Sequence, residues 1–197
     1  MQITGIVLAG GKSSRMGTDK CYLTLGGNSL VEIALRKLQT LCSEVVISSN
    51  CSDYDAPGVK VIRDLITDSG PLAGIYSAMK ETNAENFLVI PADLPFITTD
   101  FLKELVAGCQ NYDAVVPRNN EGYIEPLAAY YNRACLPIIE ESLMSGDFSV
   151  YKILKKLNVN YFKWETLPIA GKMHLFMNLN SPEDYRQAEE IFKGNVK

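Results

Sequence analysis

The stretch Gly5-Ile6-Val7-Leu8-Ala9-Gly10-Gly11-Lys12-Ser13-Ser14-Arg15-Met16-Gly17-Thr18-Asp19-Lys20 decides how the rest of the chain is read. Ile6-Val7-Leu8 is a short apolar run of the kind that forms a strand buried on both faces of a parallel sheet. It stops at Ala9-Gly10-Gly11, small residues that let the backbone approach a ligand closely and adopt positive φ. Lys12, Arg15 and Lys20 follow at once. A strand running into a glycine turn offers backbone N–H groups at the carboxyl edge of the sheet, where open α/β sheets bind ligands. Three cations on that turn make it a candidate site for a polyphosphate.

Two familiar phosphate loops fail on counting. A P-loop needs two glycines separated by four residues, the second followed by Lys and then Ser or Thr. Gly11-Lys12-Ser13 supplies that ending, but the required first glycine position is Ile6, and Gly5 comes one residue too early. The dinucleotide fingerprint fails because Gly10 and Gly11 are adjacent. A plain turn with solvated lysines is the bland alternative. The clustering of Arg15 and Lys20 weighs against it, because surface charge is usually mixed in sign.

The background makes the cationic loop conspicuous. The formal net charge is −4 over 197 residues, which argues against a nucleic-acid or membrane-binding surface. Apolar residues at 47% and charged residues at 21% are those of a globular chain able to bury one core. The five cysteines have no Cys-x-x-Cys spacing, so reduced thiols in a cytoplasmic protein are expected, with neither a disulfide framework nor a zinc site. Met1 to Gly5 lacks the basic flank and apolar run of a signal peptide, and no stretch approaches the ~20 apolar residues of a membrane span.

Periodicity places the elements. Ser29 and Glu32 form a capping-box pair opening a helix whose apolar face is Leu30, Ile33, Ala34, Leu38 and Leu41. Glu44 to Ser49 and Val59 to Ile62 read as the next strands, the latter ending at Arg63-Asp64. Gly70-Pro71 starts a helix to about Lys80, and Asn86 to Ile90 is a strand leading into Pro91-Ala92-Asp93-Leu94-Pro95. Thr99 and Asp100 open a helix ending near Gly108. This alternation predicts an α/β fold: a mostly parallel, doubly wound, Rossmann-like sheet with helices on both faces. The second half is less regular. Strands are expected at Ala114 to Val116, Leu127 to Tyr131, Tyr161 to Trp164 and Leu175 to Met177, with two helical pieces between Arg133 and Leu157. Ser181-Pro182-Glu183-Asp184 caps a final helix. With no repeat or linker, residues 1–197 read as a single domain.

Asp93 follows a central apolar strand, which puts a carboxylate at the sheet edge beside the first loop. A polyphosphate needs Mg²⁺, a hard cation held by one or two carboxylates plus phosphate oxygens. Asp93 is the candidate ligand, and Asp64 could assist it or contact a nucleotide. Asn178 and Asn180 alternate around Leu179 and project two amides toward one side, beside a helix N-terminus that favours an anion. His174, the one histidine, reads as incidental.

Leu8 to Lys20 resembles the signature of the molybdenum cofactor guanylyltransferases, of nucleotidyltransferase type. Gly70-Pro71-Leu72-Ala73-Gly74, Asp93 between its prolines, and Asn178-Leu179-Asn180-Ser181-Pro182-Glu183-Asp184 match the family's later motifs in order. The resemblance implies that Leu8, Ala9 and Gly10 meet a guanine nucleotide through backbone groups. It assigns Lys20, Asn50 and Asp64 to the nucleotide, Asp93 to nucleotide and Mg²⁺, and Arg15 to the phosphates. Asn178 and Asn180 would lie near a pterin acceptor. A phosphate role for Lys12 is read from charge and position. Tyr123 to Leu127 carries no family assignment. The implied reaction moves GMP from GTP to the terminal phosphate of molybdopterin, releasing pyrophosphate. Contact with a protein that delivers or receives the cofactor is compatible with it. Open alternatives are CTP on the pterin, UTP on a sugar phosphate, or a non-catalytic GTP-binding protein.

Overall fold

Strand β1 (Thr4–Leu8) is buried along its whole length, as the centre of a sheet covered on both faces must be. The structure, a computed structural model, describes residues 1–10, 23–51, 56–169 and 171–195. A two-residue hairpin, β2 (Thr24–Leu25) and β3 (Asn28–Ser29), leads into α1 (Leu30–Gln39). The helix opens on the reciprocal capping box: Glu32 N–H donates to Ser29 Oγ at 3.1 Å, and Ser29 N–H to Glu32 Oε2 at 2.8 Å. Then follow β4 (Glu44–Ser48), β5 (Lys60–Ile62), α2 (Gly70–Lys80), β6 (Asn86–Pro91), α3 (Thr99–Ala107) and β7 (Ala114–Arg118). The chain closes with β8 (Ala129–Asn132), α4 (Leu136–Met144), α5 (Val150–Leu154), β9 (Val159–Lys163) and α6 (Pro182–Asn195).

Seven strands form one sheet in the order β5-β4-β1-β6-β8-β7-β9. Every neighbouring pair is parallel except those of β8, which runs antiparallel to both β6 and β7. The mostly parallel, doubly wound sheet expected from the alternation is therefore the fold. Period-two alternation divides its side chains between two cores. Val7, Ile47, Leu88 and Val115 face one core with residues of α1, α3 and α6. Ile6, Val46, Val89 and Val116 face the other with residues of α2, α4 and α5.

Two expectations need correction. Leu175 to Met177 is not a strand: Leu175 N–H bonds the Lys172 carbonyl and Met177 N–H the His174 carbonyl, so local turns consume the groups a ladder would need. Its apolar pattern has another cause, since Leu175 is buried in the first core and Phe176 packs edge-on to Phe101 at 5.4 Å. The α1 face also differs in detail. Val31 and Leu35 are buried, while Ile33 is half-buried and Leu41 lies beyond the helix. Among the described residues the four cysteines are free thiols, and burial pushes Cys42 and Cys135 up to about 12. No helix among them is long and apolar enough to cross a membrane.

Candidate active site

One row of aligned residues organises the site. The parallel register sets Ile62 beside Ser48, Ser48 beside Leu8, and Leu8 beside Pro91, across β5, β4, β1 and β6. Two residues beyond each of these lie Asp64, Asn50, Gly10 and Asp93. All four line a cavity of about 650 Å³ at the carboxyl edge of the sheet. Ala92 N–H donates to the Leu8 carbonyl at 3.0 Å, so the β1 and β6 exits leave side by side. Gly10 and Asp93 therefore follow neighbouring strand exits.

At the β4–β5 end, Asn50 and Asp64 form a reciprocal pair. Asn50 Nδ2 donates to Asp64 Oδ2 at 2.6 Å, and Asp64 N–H donates to Asn50 Oδ1 at 2.9 Å. Burial raises the Asp64 carboxyl above its ordinary range, and the Asn50 amide works against that rise. The pair is a mutually oriented polar edge, of the kind that can read a nucleoside by hydrogen bonds.

The floor comes from α2, where Gly70, Pro71 and Gly74 line the cavity. First-turn N–H groups have no acceptor within their own helix, and the Ser69 side chain does not cap them. They and the helix dipole favour an anion at this end. Gly70 has φ of +67°, which only glycine adopts at no cost. A Cβ at Gly74 would stand 2.4 Å from Ser48 Oγ, so glycine is what lets α2 lie this close to β4.

Asp93 is half-buried on a loop held from two sides. Leu179 N–H donates to the Asp93 carbonyl at 3.0 Å, and Lys37 Nζ of α1 donates to the Pro95 carbonyl. Burial lowers the Lys37 ammonium from 10.5 to about 8. The Leu179 bond explains the paired amides. With Leu179 buried and pinned, its neighbours Asn178 and Asn180 both line the cavity.

Glu125 is the residue that sequence reasoning left out. It lines the same cavity, is only 8% exposed, and accepts from Tyr123 Oη at 3.2 Å. The antiparallel register of β6 and β8 ends at Val89–Ala129. Continued past that pair, it sets Pro91 opposite Leu127 and Asp93 opposite Glu125. Burial raises the Glu125 carboxyl, and the negative charge of Asp93 adds to the rise. The available signal was a carboxylate fixed against Pro126 two residues ahead of an apolar strand. Without knowing that this strand is reversed, nothing placed it at the functional edge.

Leu8, Gly10, Asn50, Asp64, Asp93, Asn178 and Asn180 thus converge on one cavity. Ala9 does not line it. It is buried, with its N–H given to the Ser48 carbonyl at 2.9 Å. Lys12, Arg15 and Lys20 lie outside the described residues. A metal would suit Asp93 if it drew its other ligands from phosphate and water. Among the described residues no three His, Cys, Asp or Glu side chains gather into a dedicated cage.

Residues 5–160 match the MobA-like NTP transferase domain. A protein of Pelotomaculum thermopropionicum named "Probable molybdenum cofactor guanylyltransferase" is 33% identical over 190 residues, covering 95% of this chain and 92% of that one. The molybdenum cofactor guanylyltransferase of Desulfosudis oleivorans is 31% identical over 195 residues, covering 97% and 96%. Among solved structures, molybdopterin-guanine dinucleotide biosynthesis protein A from Archaeoglobus fulgidus superposes with a TM-score of 0.82 at 29% identity, covering 97% of this chain and 99% of that one.

Proposed function

The chain belongs to the molybdenum cofactor guanylyltransferase family, and we propose that it transfers GMP from GTP to the terminal phosphate of molybdopterin, acting as one domain over residues 1–197. An oxygen of the acceptor phosphate forms the new bond to the α-phosphorus of GTP. The bond from that phosphorus to the bridging oxygen breaks, and pyrophosphate leaves with the electron pair. The nucleophile is already ionised, so the chemistry asks for no general base. Positioning and charge neutralisation carry it, and holding the reactants in line can supply ~7–11 kcal/mol of the barrier.

The observation that carries this reading is the aligned row, which delivers Asp64, Asn50, Gly10 and Asp93 to one cavity. Asn50 and Asp64 bind the nucleoside. Backbone groups of Leu8, Ala9 and Gly10 and the α2 N-terminus meet the rest of the nucleotide. Since the Ala9 N–H is committed to Ser48, its part falls to other atoms. Lys20 binds the nucleotide, while Lys12 and Arg15 meet the phosphates. Asn178 and Asn180 orient the acceptor at the far end. Asp93 would hold Mg²⁺, which when bound neutralises charge on the phosphates. The reaction suits a cytoplasmic enzyme, with a transient partner supplying or receiving the pterin.

The test is transfer of labelled NMP to molybdopterin with each of the four nucleoside triphosphates, alongside melting curves with each, with and without Mg²⁺. A ligand that binds only the folded form raises the melting point. GTP alone should serve as donor, and only with the metal. Preference for CTP would make the chain a cytidylyltransferase. A GTP-dependent rise in melting point without transfer would make it a binding protein.

A further inference from the structure

A second cavity, of about 360 Å³, draws on two chain segments that also line the acceptor end of the first, and those segments stand as a wall between them. Along the first segment, Asn119 and Tyr123 line the second cavity and Glu125 the first. The Tyr123 hydroxyl donates to Glu125 across the wall at 3.2 Å. Along the other segment, Phe176 and Met177 line the second cavity, while Asn178 and Asn180 line the first. A ligand whose charged end meets the two asparagines can continue over this wall and remain on the protein.

The chemistry of the second cavity suits a flat aromatic ring. Trp164 and Phe176 stand edge-to-face with centroids 5.0 Å apart, and Phe176 in turn leans on the core residue Phe101. This makes an apolar surface from aromatic rings already packed on one another. Met173, 89% exposed, and Met177 add polarizable side chains that adapt to a ring face. The rim carries groups that read a heterocycle's edge: the amides of Asn119 and Gln187 and the imidazole of His174. Asn119 is fixed for this by accepting from Tyr123 N–H at 2.7 Å. The nucleoside has its own polar edge at Asn50 and Asp64, at the opposite end of the row of strands.

We propose that this second cavity seats the flat heterocycle of the acceptor while its phosphate lies in the first, so that the acceptor straddles the wall made by residues 119–125 and 176–180. The proposal rests on the transferase reading above and adds the acceptor's second contact to it. It also gives His174 a role in binding, where the sequence offered none.

The chain has a single tryptophan, so intrinsic emission reports on this cavity. Titrating the wild-type chain with a phosphate-free pterin, 6-hydroxymethylpterin, should quench Trp164 saturably. Gln187→Phe, which fills the cavity from α6, should abolish that quenching and raise the acceptor KM by ~10-fold or more, while GTP affinity stays unchanged. His174→Ala, a smaller change less able to disturb folding, should shift both readouts in the same direction. Absence of saturable quenching in the wild type overturns the proposal, as would wild-type acceptor KM in both variants. Either result leaves GMP transfer standing, because transfer is scored separately. If the wild type quenched with pterin but transferred nothing, the cavity assignment would survive and the transferase reading would fall.

Discussion

The two ends of the cavity are built by opposite devices. At the β5–β4–β1 end, parallel strands all leave the sheet in one direction, and each deposits a residue two positions past the same aligned row. At the other end β8 runs the opposite way, so its contribution, Glu125 and Leu127, comes from residues ahead of the strand. The first end offers a polar pair, Gly10 and a helix N-terminus, all suited to a nucleotide. The second offers a buried carboxylate and two asparagines, with the aromatic hollow of the second cavity across the wall, suited to something flatter. One sheet edge thus acquires two chemistries by reversing a single strand. Asp93 stands at the seam, at the last parallel exit and opposite the first antiparallel approach.

Removing the seam should produce the largest effect. Asp93→Ala is expected to lower kcat by ~10²–10³, the range seen when one preorganised charge-stabilising group is lost. Its melting point should stay close to wild type, since a half-buried loop carboxylate contributes little to packing. Steady-state pyrophosphate release together with a melting curve checks both. A variant with normal kcat and a raised KM for one substrate alone would place Asp93 inside one end and erase the seam.

The two ends should also come apart under mutation. Asn50→Ala leaves the half-buried Asp64 carboxylate without its amide and should weaken GTP by ~10-fold or more, with acceptor KM unchanged. Asn180→Ala should do the converse, raising acceptor KM by a similar factor and sparing GTP. Calorimetric GTP binding and acceptor titrations measure the pair. If both variants weakened both ligands equally, the cavity would be one undivided site.

The division also explains what could be read in advance. Alternating strands and helices imply a parallel sheet, and a parallel sheet presents the residues just past its strands. Asp64 and Asp93 were legible from that rule alone, while Asn50 needed the family resemblance. Paired amides at Asn178 and Asn180 were legible as a pattern, though not for the right backbone reason. Leu179 is pinned to Asp93, and residues 175–178 ahead of it form no strand. Glu125 and the Trp164–Phe176 hollow were not legible. Their placement depends on a strand direction and on contacts between the 119–125 loop, β9 and the segment before α6. No local pattern in the chain records those.

The smallest expected effect tests how firmly the seam is held from beneath. Lys37 of α1 donates to Pro95, two residues past Asp93, and burial lowers its ammonium to about 8 from 10.5. Below pH 8 both the folded and unfolded chains keep the proton, so the fold bears the full cost of a desolvated charge. Between about 8 and 10.5 the folded chain has released the proton while the unfolded chain retains it, and wild-type stability rises with pH relative to a neutral side chain. Lys37→Met removes the charge and also the bond to Pro95, which offsets part of the gain by about 1 kcal/mol. Urea unfolding should therefore find the variant more stable by about 1–2 kcal/mol at pH 7, with the advantage shrinking or reversing by pH 10. Turnover at pH 7 should fall only a few-fold, because Leu179 still holds the Asp93 carbonyl from the other side. A stability gap that did not change with pH would mean the ammonium is solvated. The Asp93 loop would then depend on the acceptor end alone for its position.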